Sequence, residues 1–262
     1  MTAMTGASGQ SPLYEFFRRG EVARDVRLLA ARGGFAPRAH EQLSILVLLL
    51  DDPDPEIRQT ADDTLHRLPV AALSMFLARS DVSVGLREFF ADRGVFPAET
   101  PAADGETPLV EVAEPGDEDL LAEADDQLSV NQKIQKMTFT QRLKAASKGT
   151  REMRAILVRD TNKMIAAAVM SSPKLSEQEV EGIARMASVS EDVLRMIAHN
   201  RSWMKSYKIL LGLVKNPKMP VALSLNLLPR VNSRDLAQMA IDRNIPEPVR
   251  IAARKKTMDN RT

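Results

Sequence analysis

The side chains best suited to proton transfer or metal binding are three histidines, and no two of them share a useful spacing. His40, His66 and His199 lie far apart in the chain, without the short His-to-His offsets that bring two imidazoles to one metal ion. Each reads as a helix-surface or helix-end residue, where an imidazolium meets the negative end of the helix dipole. The acidic cluster Asp51, Asp52 and Asp54 lacks the alternating oxygen ligands and the distal bidentate glutamate of a calcium loop, and helix capping accounts for it. Glu177, Glu179 and Glu181 likewise suit the positive end of a helix. There is no cysteine, which removes thiolate ligands, disulfides and thiol nucleophiles. The HExxH, GxGxxG and GxSxG patterns and a phosphate loop ending in Gly-Lys-Ser or Gly-Lys-Thr are all missing. The expectation is a protein that is not an enzyme, with no catalytic residue, metal ligand or cofactor site.

Binding chemistry is better represented. Asn200 to Lys208 reads NRSWMKSYK and holds the only tryptophan and one of two tyrosines. Trp203 and Tyr207 are four apart, which would place them on one helix face, with Arg201, Lys205 and Lys208 around them. Such a patch would grip a phosphate, an acidic peptide or a nucleic-acid strand by charge and stacking. The alternative is that the two rings pack between helices with solvated cations about them. A second basic set, Lys133, Lys136, Arg142, Lys144 and Lys148, falls on an expected amphipathic helix over 131–148 with Ile134, Met137 and Leu143 inward. Residues 1–128 carry a net charge of −13 and residues 129–262 one of +14, so opposite surface potentials are expected on the two halves. Of the thirteen methionines, Met153, Met164, Met170, Met186, Met196, Met204, Met219 and Met239 sit in helical patterns or at helix edges and read as core fillers.

These residues need elements to position them, and the composition favours helices. The chain is 44% apolar, enough for real cores, yet only 4% aromatic, and its commonest residues are strong helix formers. No stretch alternates with a period of two over six residues, so no sheet is expected. Helix signals recur at short intervals. Ser11-Pro12 opens the first helix, Gly33-Gly34 closes the second, and Asp54 with Pro55 starts the fourth as N-cap and first helical residue. Ser176 to Glu179 is a capping box. Between the two sets of helices, residues 95–128 hold four prolines and eleven acidic residues with no Lys or Arg, a composition that reads as a flexible acidic linker. The expected organisation is a disordered N-terminus (1–10), a helical domain (11–94), the linker (95–128), a basic helical domain (129–257) and a disordered tail (258–262).

Around fifteen helices of two or three turns suit stacked hairpins, and internal echoes support that. Asp54-Pro55-Glu56-Ile57-Arg58-Gln59-Thr60-Ala61 returns in looser form at residues 244–253 and, more weakly, at 81–87. Ser172-Pro173-Lys174 returns forty-four residues later as Asn216-Pro217-Lys218, an interval typical of two- and three-helix repeats. These residues resemble the HEAT and armadillo-like superfamily of α-solenoids, in which an Asp and Pro set the turn and the apolar residue before an Arg packs inward. The resemblance implies an all-α solenoid of short HEAT-like hairpins in two lobes, and a binding or scaffolding role. The expected function is a non-catalytic scaffold or adaptor whose basic C-terminal lobe holds an acidic protein surface. The acidic linker would compete for that lobe within the chain. The alternative is nucleic-acid binding, as in a repair protein of HEAT-like build. Apolar runs such as Ile45 to Leu50 are too short for a membrane span. With no secretory signal at residues 1–10, a cytoplasmic protein without membrane contact is expected.

Overall fold

A computed structural model describes residues 12–34, 38–103, 107–110 and 129–259. Among them are sixteen α-helices and no strand, as the composition and periodicity require. The first six are α1 (Pro12–Arg18), α2 (Arg24–Ala31), α3 (Ala39–Leu49), α4 (Pro55–His66), α5 (Val70–Leu77) and α6 (Val84–Ala91). Then come α7 (Val130–Lys136), α8 (Phe139–Lys148), α9 (Arg151–Leu157), α10 (Lys163–Ser171), α11 (Glu177–Arg185) and α12 (Glu191–His199). The last four are α13 (Tyr207–Lys215), α14 (Val221–Leu227), α15 (Ser233–Met239) and α16 (Glu247–Asp259), with 3-10 turns at Trp203–Lys205 and Leu228–Arg230. No helix among the described residues is long and apolar enough to cross a membrane.

Local chemistry sets the boundaries. Asp54 accepts from the Glu56 amide with Pro55 behind it, which starts α4 as its capping residue should. After α2, Gly33 takes φ +85°. Its N–H bonds the Ala30 carbonyl while that of Gly34 bonds the Leu29 carbonyl, the paired closure that a left-handed residue permits. Both halves of the Ser176 and Glu179 capping box form at the start of α11. The single helix expected over 131–148 is two. Thr138 and Gln141 make a second capping box, and Met137 turns extended before it (φ −70°, ψ 140°), so α7 ends and α8 begins anew. Met258 and Asp259, expected in a disordered tail, belong to α16. Residues 1–10 and 260–262 lie outside the described set.

The chain divides into two compact units. One runs to Met153 and takes in Ser171–Lys174; the other holds Arg154–Met170 and continues from Leu175. The first therefore includes α7 and α8. Within it α1 packs on α3, α2 on α3 and α4, and α3 on α4, which is why α3 is apolar nearly all round, with Leu43, Ile45, Leu46 and Leu49 buried. In the second unit α11 packs on α12 and α13, α13 on α12 and α14, α14 on α16, and α15 on α16. All these packings join helices one or two places apart in the chain.

The internal echoes are structural. Ile57 and Ala61, Leu86 and Phe90, and Val249 and Ala253 are each a buried pair four residues apart, one above the other on an inward helix face. The arginine after the first residue reaches back to preceding carbonyls in two cases. Arg58 donates to Asp52 and Pro53, and Arg87 to Leu77 and Arg79. The Ser172 and Asn216 echoes share another device. Buried Ser172 donates to the Ser147 carbonyl at 2.6 Å, and buried Asn216 donates to those of Ala184 and Met186 at 2.9 and 3.1 Å. The oxygen of each accepts the lysine amide two residues on. Each thus ties a helix end to the carbonyl end of an earlier helix, whose last C=O groups have no partner within it.

Part of the segment read as a flexible linker is bound to the first unit. The Ala98 and Ala102 amides donate to the Ser74 and Met75 carbonyls at 2.9 Å, and Leu109 and Val110 are held by Gln42. Eight of its eleven acidic residues lie in 111–126, outside the described set. The earlier part has only three, so its backbone docks without gathering like charge.

Candidate functional site

The segment from Asn200 to Lys208 joins α12 to α13 and is folded by its own polar groups. Asn200 accepts the Ser202 and Trp203 amides on Oδ1 at 2.9 and 3.3 Å, a local turn that Asn makes readily. Trp203–Lys205 then form one 3-10 turn, and Ser206 is extended (φ −75°, ψ 117°) before α13 begins at Tyr207. Trp203 and Tyr207 are therefore not on one helix face, because Ser206 breaks the helix between them. Met204 is the inward residue of the turn, 7% exposed, and its carbonyl accepts from Arg230.

Tyr207 is a strut. Its hydroxyl donates to Asp235 Oδ2 at 2.6 Å and accepts the Asn232 amide at 3.2 Å, so it ties the start of α13 to the start of α15. Asn232 caps α15 by accepting the Asp235 amide at 2.7 Å, and Lys215 Nζ stands 3.7 Å from Asp235 Oδ1. Desolvation and the Asp235 carboxylate both raise the phenol above its ordinary range, so it stays neutral and donating. The bond fixes the hydroxyl, while Tyr207 itself remains exposed. Trp203 is half-buried beside it, whereas Arg201, Lys205 and Lys208 are exposed. What the segment offers a partner is charge together with the exposed Tyr207.

Electrostatics across the second unit sharpen this. Glu179, Glu181, Glu191, Asp192 and Asp235 pair with Arg154, Arg185, Arg195, Lys163 and Lys215 respectively. Arg201, Lys205, Lys218 and Arg234 are exposed and make no ion pair with any described residue. Lys208 is 4.0 Å from Glu181 with most of its side chain in solvent. The other basic set, in the first unit, is split between Lys133 and Lys136 on α7 and Arg142, Lys144 and Lys148 on α8. Lys136 is exposed and the other four are half-buried, so the five charges do not form one helical stripe.

The first unit uses several of its charges internally. Arg24 bonds Asp54 and Glu56, and Arg27 bonds both oxygens of Asp52. Asp52 and Asp54 are thus capping and ion-pair residues and Asp51 is exposed, and among the described residues no group of three or more His, Asp or Glu side chains is placed to hold a metal ion. His66 and His199 are the last residues of α4 and α12, each with Nδ1 at the carbonyl four residues back, 2.8 and 2.6 Å away. His40 is half-buried in the first turn of α3, and desolvation lowers its pKa. Sequence reasoning missed Gln42, a buried amide that binds backbone sixty-seven and sixty-eight residues away. Nothing in its local pattern marks it. No protein-family model, curated protein or solved structure matches this chain.

Proposed function

We propose that this protein is a non-catalytic scaffold or adaptor of HEAT-like α-solenoid build, acting in the cytoplasm, whose second unit binds an acidic protein surface. The observation that carries the reading is the charge imbalance of that unit. Glu179, Glu181, Glu191, Asp192 and Asp235 are held in ion pairs within it, while Arg201, Lys205, Lys218 and Arg234 are exposed and pair with no described residue. Exposed charge of one sign steers an oppositely charged partner and sets the rate of encounter. The solenoid reading is supported by the main packings among the described helices, which join near neighbours, and by the recurring inward pairs at Ile57, Leu86 and Val249. Trp203 is half-buried and shares no helix face with Tyr207, so the two rings make no paired platform for successive bases, which favours a protein surface over a nucleic-acid strand.

The test is fluorescence anisotropy with the full chain, using a labelled poly-glutamate peptide, a single-stranded oligonucleotide and a DNA duplex at two salt concentrations. The acidic peptide should bind in a salt-sensitive way. Replacing Arg201, Lys205 and Lys208 together with glutamate should weaken it at least tenfold, with the far-UV spectrum unchanged. Equal binding by that variant, or no binding by the parent chain, refutes the reading. Tighter binding of either nucleic acid selects the alternative, a nucleic-acid-binding protein.

A further inference from the structure

Gln42 on α3 is 1% exposed, and its amide is fully committed. Its Oε1 accepts the Leu109 and Val110 backbone N–H groups at 2.8 and 3.1 Å. Its Nε2 donates to the Val110 carbonyl at 2.7 Å and to the Gly33 carbonyl at 3.1 Å. A primary amide has two lone pairs and two N–H donors, and all four are used here. Three go to the main chain of two consecutive residues, and the fourth fixes the side chain against the wall of the slot. That wall is bare backbone. Gly33 sits at φ +85°, and a Cβ there would stand 3.4 Å from Val110 Cγ1 and 3.3 Å from Gln42 Nε2. The Val110 side chain thus lies in contact range of a glycine wall whose positive φ disfavours any side chain.

The occupant is held mainly by its backbone. Leu109 and Val110 lie outside any helix and are only half-buried, Pro108 before them is half-buried, and Thr107 is exposed. Recognition of main-chain groups by a fixed side chain, with a pocket for one apolar group, is how peptide-binding surfaces read short linear segments. We infer that the Gln42 and Gly33 slot of the first unit is a peptide-recognition site. Its ligand is a short non-helical segment of proline followed by two branched apolar residues. Pro108 to Val110 are the resident ligand in cis, which a partner's segment of the same chemistry displaces. This inference is independent of the basic patch, since it uses neither its residues nor its charge.

The test uses a labelled peptide copying residues 105–112 (Gly-Glu-Thr-Pro-Leu-Val-Glu-Val) and the full chain. Replacing Leu109→Pro and Val110→Pro together removes both N–H groups read by Oε1 and vacates the slot. The peptide should bind this variant at least tenfold more tightly than the parent, because a tethered competitor acts at an effective concentration on the order of millimolar. The same peptide N-methylated at its Leu and Val amides should bind at least tenfold more weakly, a change that leaves the protein untouched. Equal affinity for both chains, no saturable binding to a vacated chain with the parent's far-UV spectrum, or undiminished binding of the methylated peptide overturns the inference. If the vacated chain does not fold, amide exchange of the parent decides. Excess peptide should accelerate exchange at Leu109 and Val110, and unchanged exchange overturns the inference.

Discussion

Replacing Glu41 with glutamine should stabilise the protein at neutral pH and leave it unchanged in acid. Glu41 lies in the first turn of α3, where a helix start would favour its charge, but it is only 3% exposed and its Oε1 has no hydrogen-bond partner. Burial pushes its pKa up to about 8, against the opposing pull of Arg38. The folded state therefore holds a proton that the unfolded state releases near the ordinary carboxyl value of 4.5. Stability falls as pH rises from 4.5 towards 8 and is flat beyond, because the native state binds the extra proton. At about 1.4 kcal/mol per pH unit the accumulated cost at pH 7 is about 3 kcal/mol. Glu41→Gln keeps the volume and removes the ionisation. Its urea midpoint, followed by far-UV circular dichroism, should rise by about 1 to 3 M at pH 7 given a typical dependence on denaturant. Near pH 4 it should coincide with the parent. A shift of equal size at both pH values, or none at pH 7, would refute a buried, proton-holding carboxyl at this position.

Arg154→Met should lower stability at pH 7 by about 3 kcal/mol by leaving Glu179 without its charge partner, as read from the urea midpoint. Desolvation raises the Glu179 pKa, but the Ser176 amide and hydroxyl together with Arg154 bring it below the ordinary value. The loss should shrink as pH falls below about 4.5 and the carboxylate protonates in both states, the opposite sign to Glu41. Asn216→Ala frees the carbonyls of Ala184 and Met186 and should cost about 1 to 3 kcal/mol in the same melt. Asn216→Asp should cost more, since a carboxylate cannot donate to them. Tyr207→Phe should cost about 1 kcal/mol and leave the affinity for an acidic peptide unchanged; a tenfold loss of that affinity would put the hydroxyl at the contact instead.

How far the sequence could be read depended on the distance over which each signal acts. Asp54 with Pro55 and Ser176 with Glu179 are codes completed within four residues, and both form as read. Thr138 with Gln141 obeys the same code, but the apolar spacing of Ile134, Met137 and Leu143 carried the expected helix across it. The break at Ser206 had no such code, since the Ser206 side chain makes no cap. It is fixed in part by Tyr207 reaching Asp235, twenty-eight residues on. Asn216-Pro217-Lys218 was legible as a repeat of Ser172-Pro173-Lys174, but its acceptors, thirty and thirty-two residues earlier, were not. Gln42 is the extreme case, because its partners lie across a segment that composition alone marks as a linker. Short-range capping shows in residue types, whereas a side chain that satisfies distant backbone looks like any other polar residue until the chain is folded.

The charge asymmetry also has a different owner from the one the two halves suggest. Residues 1–94 hold 11 arginines against 13 acidic residues, nearly balanced and paired internally through Arg24, Arg27 and Arg79. The acidic excess sits in the linker, mostly at 111–126, while residues 129–262 carry +14. The competition proposed within this chain is therefore between residues 111–126 and the basic helices, and deleting 111–127 tests it while sparing the backbone contacts of Ala98, Ala102 and Val110. The deletion should strengthen binding of the acidic peptide several-fold at about 0.01 M salt, where charges interact over about 30 Å, and should have little effect near 1 M, where that range contracts to about 3 Å. The same affinity at low salt with and without the segment would mean that the acidic run leaves the cationic surface open, and that the linker's part in binding is confined to the segment held by Gln42.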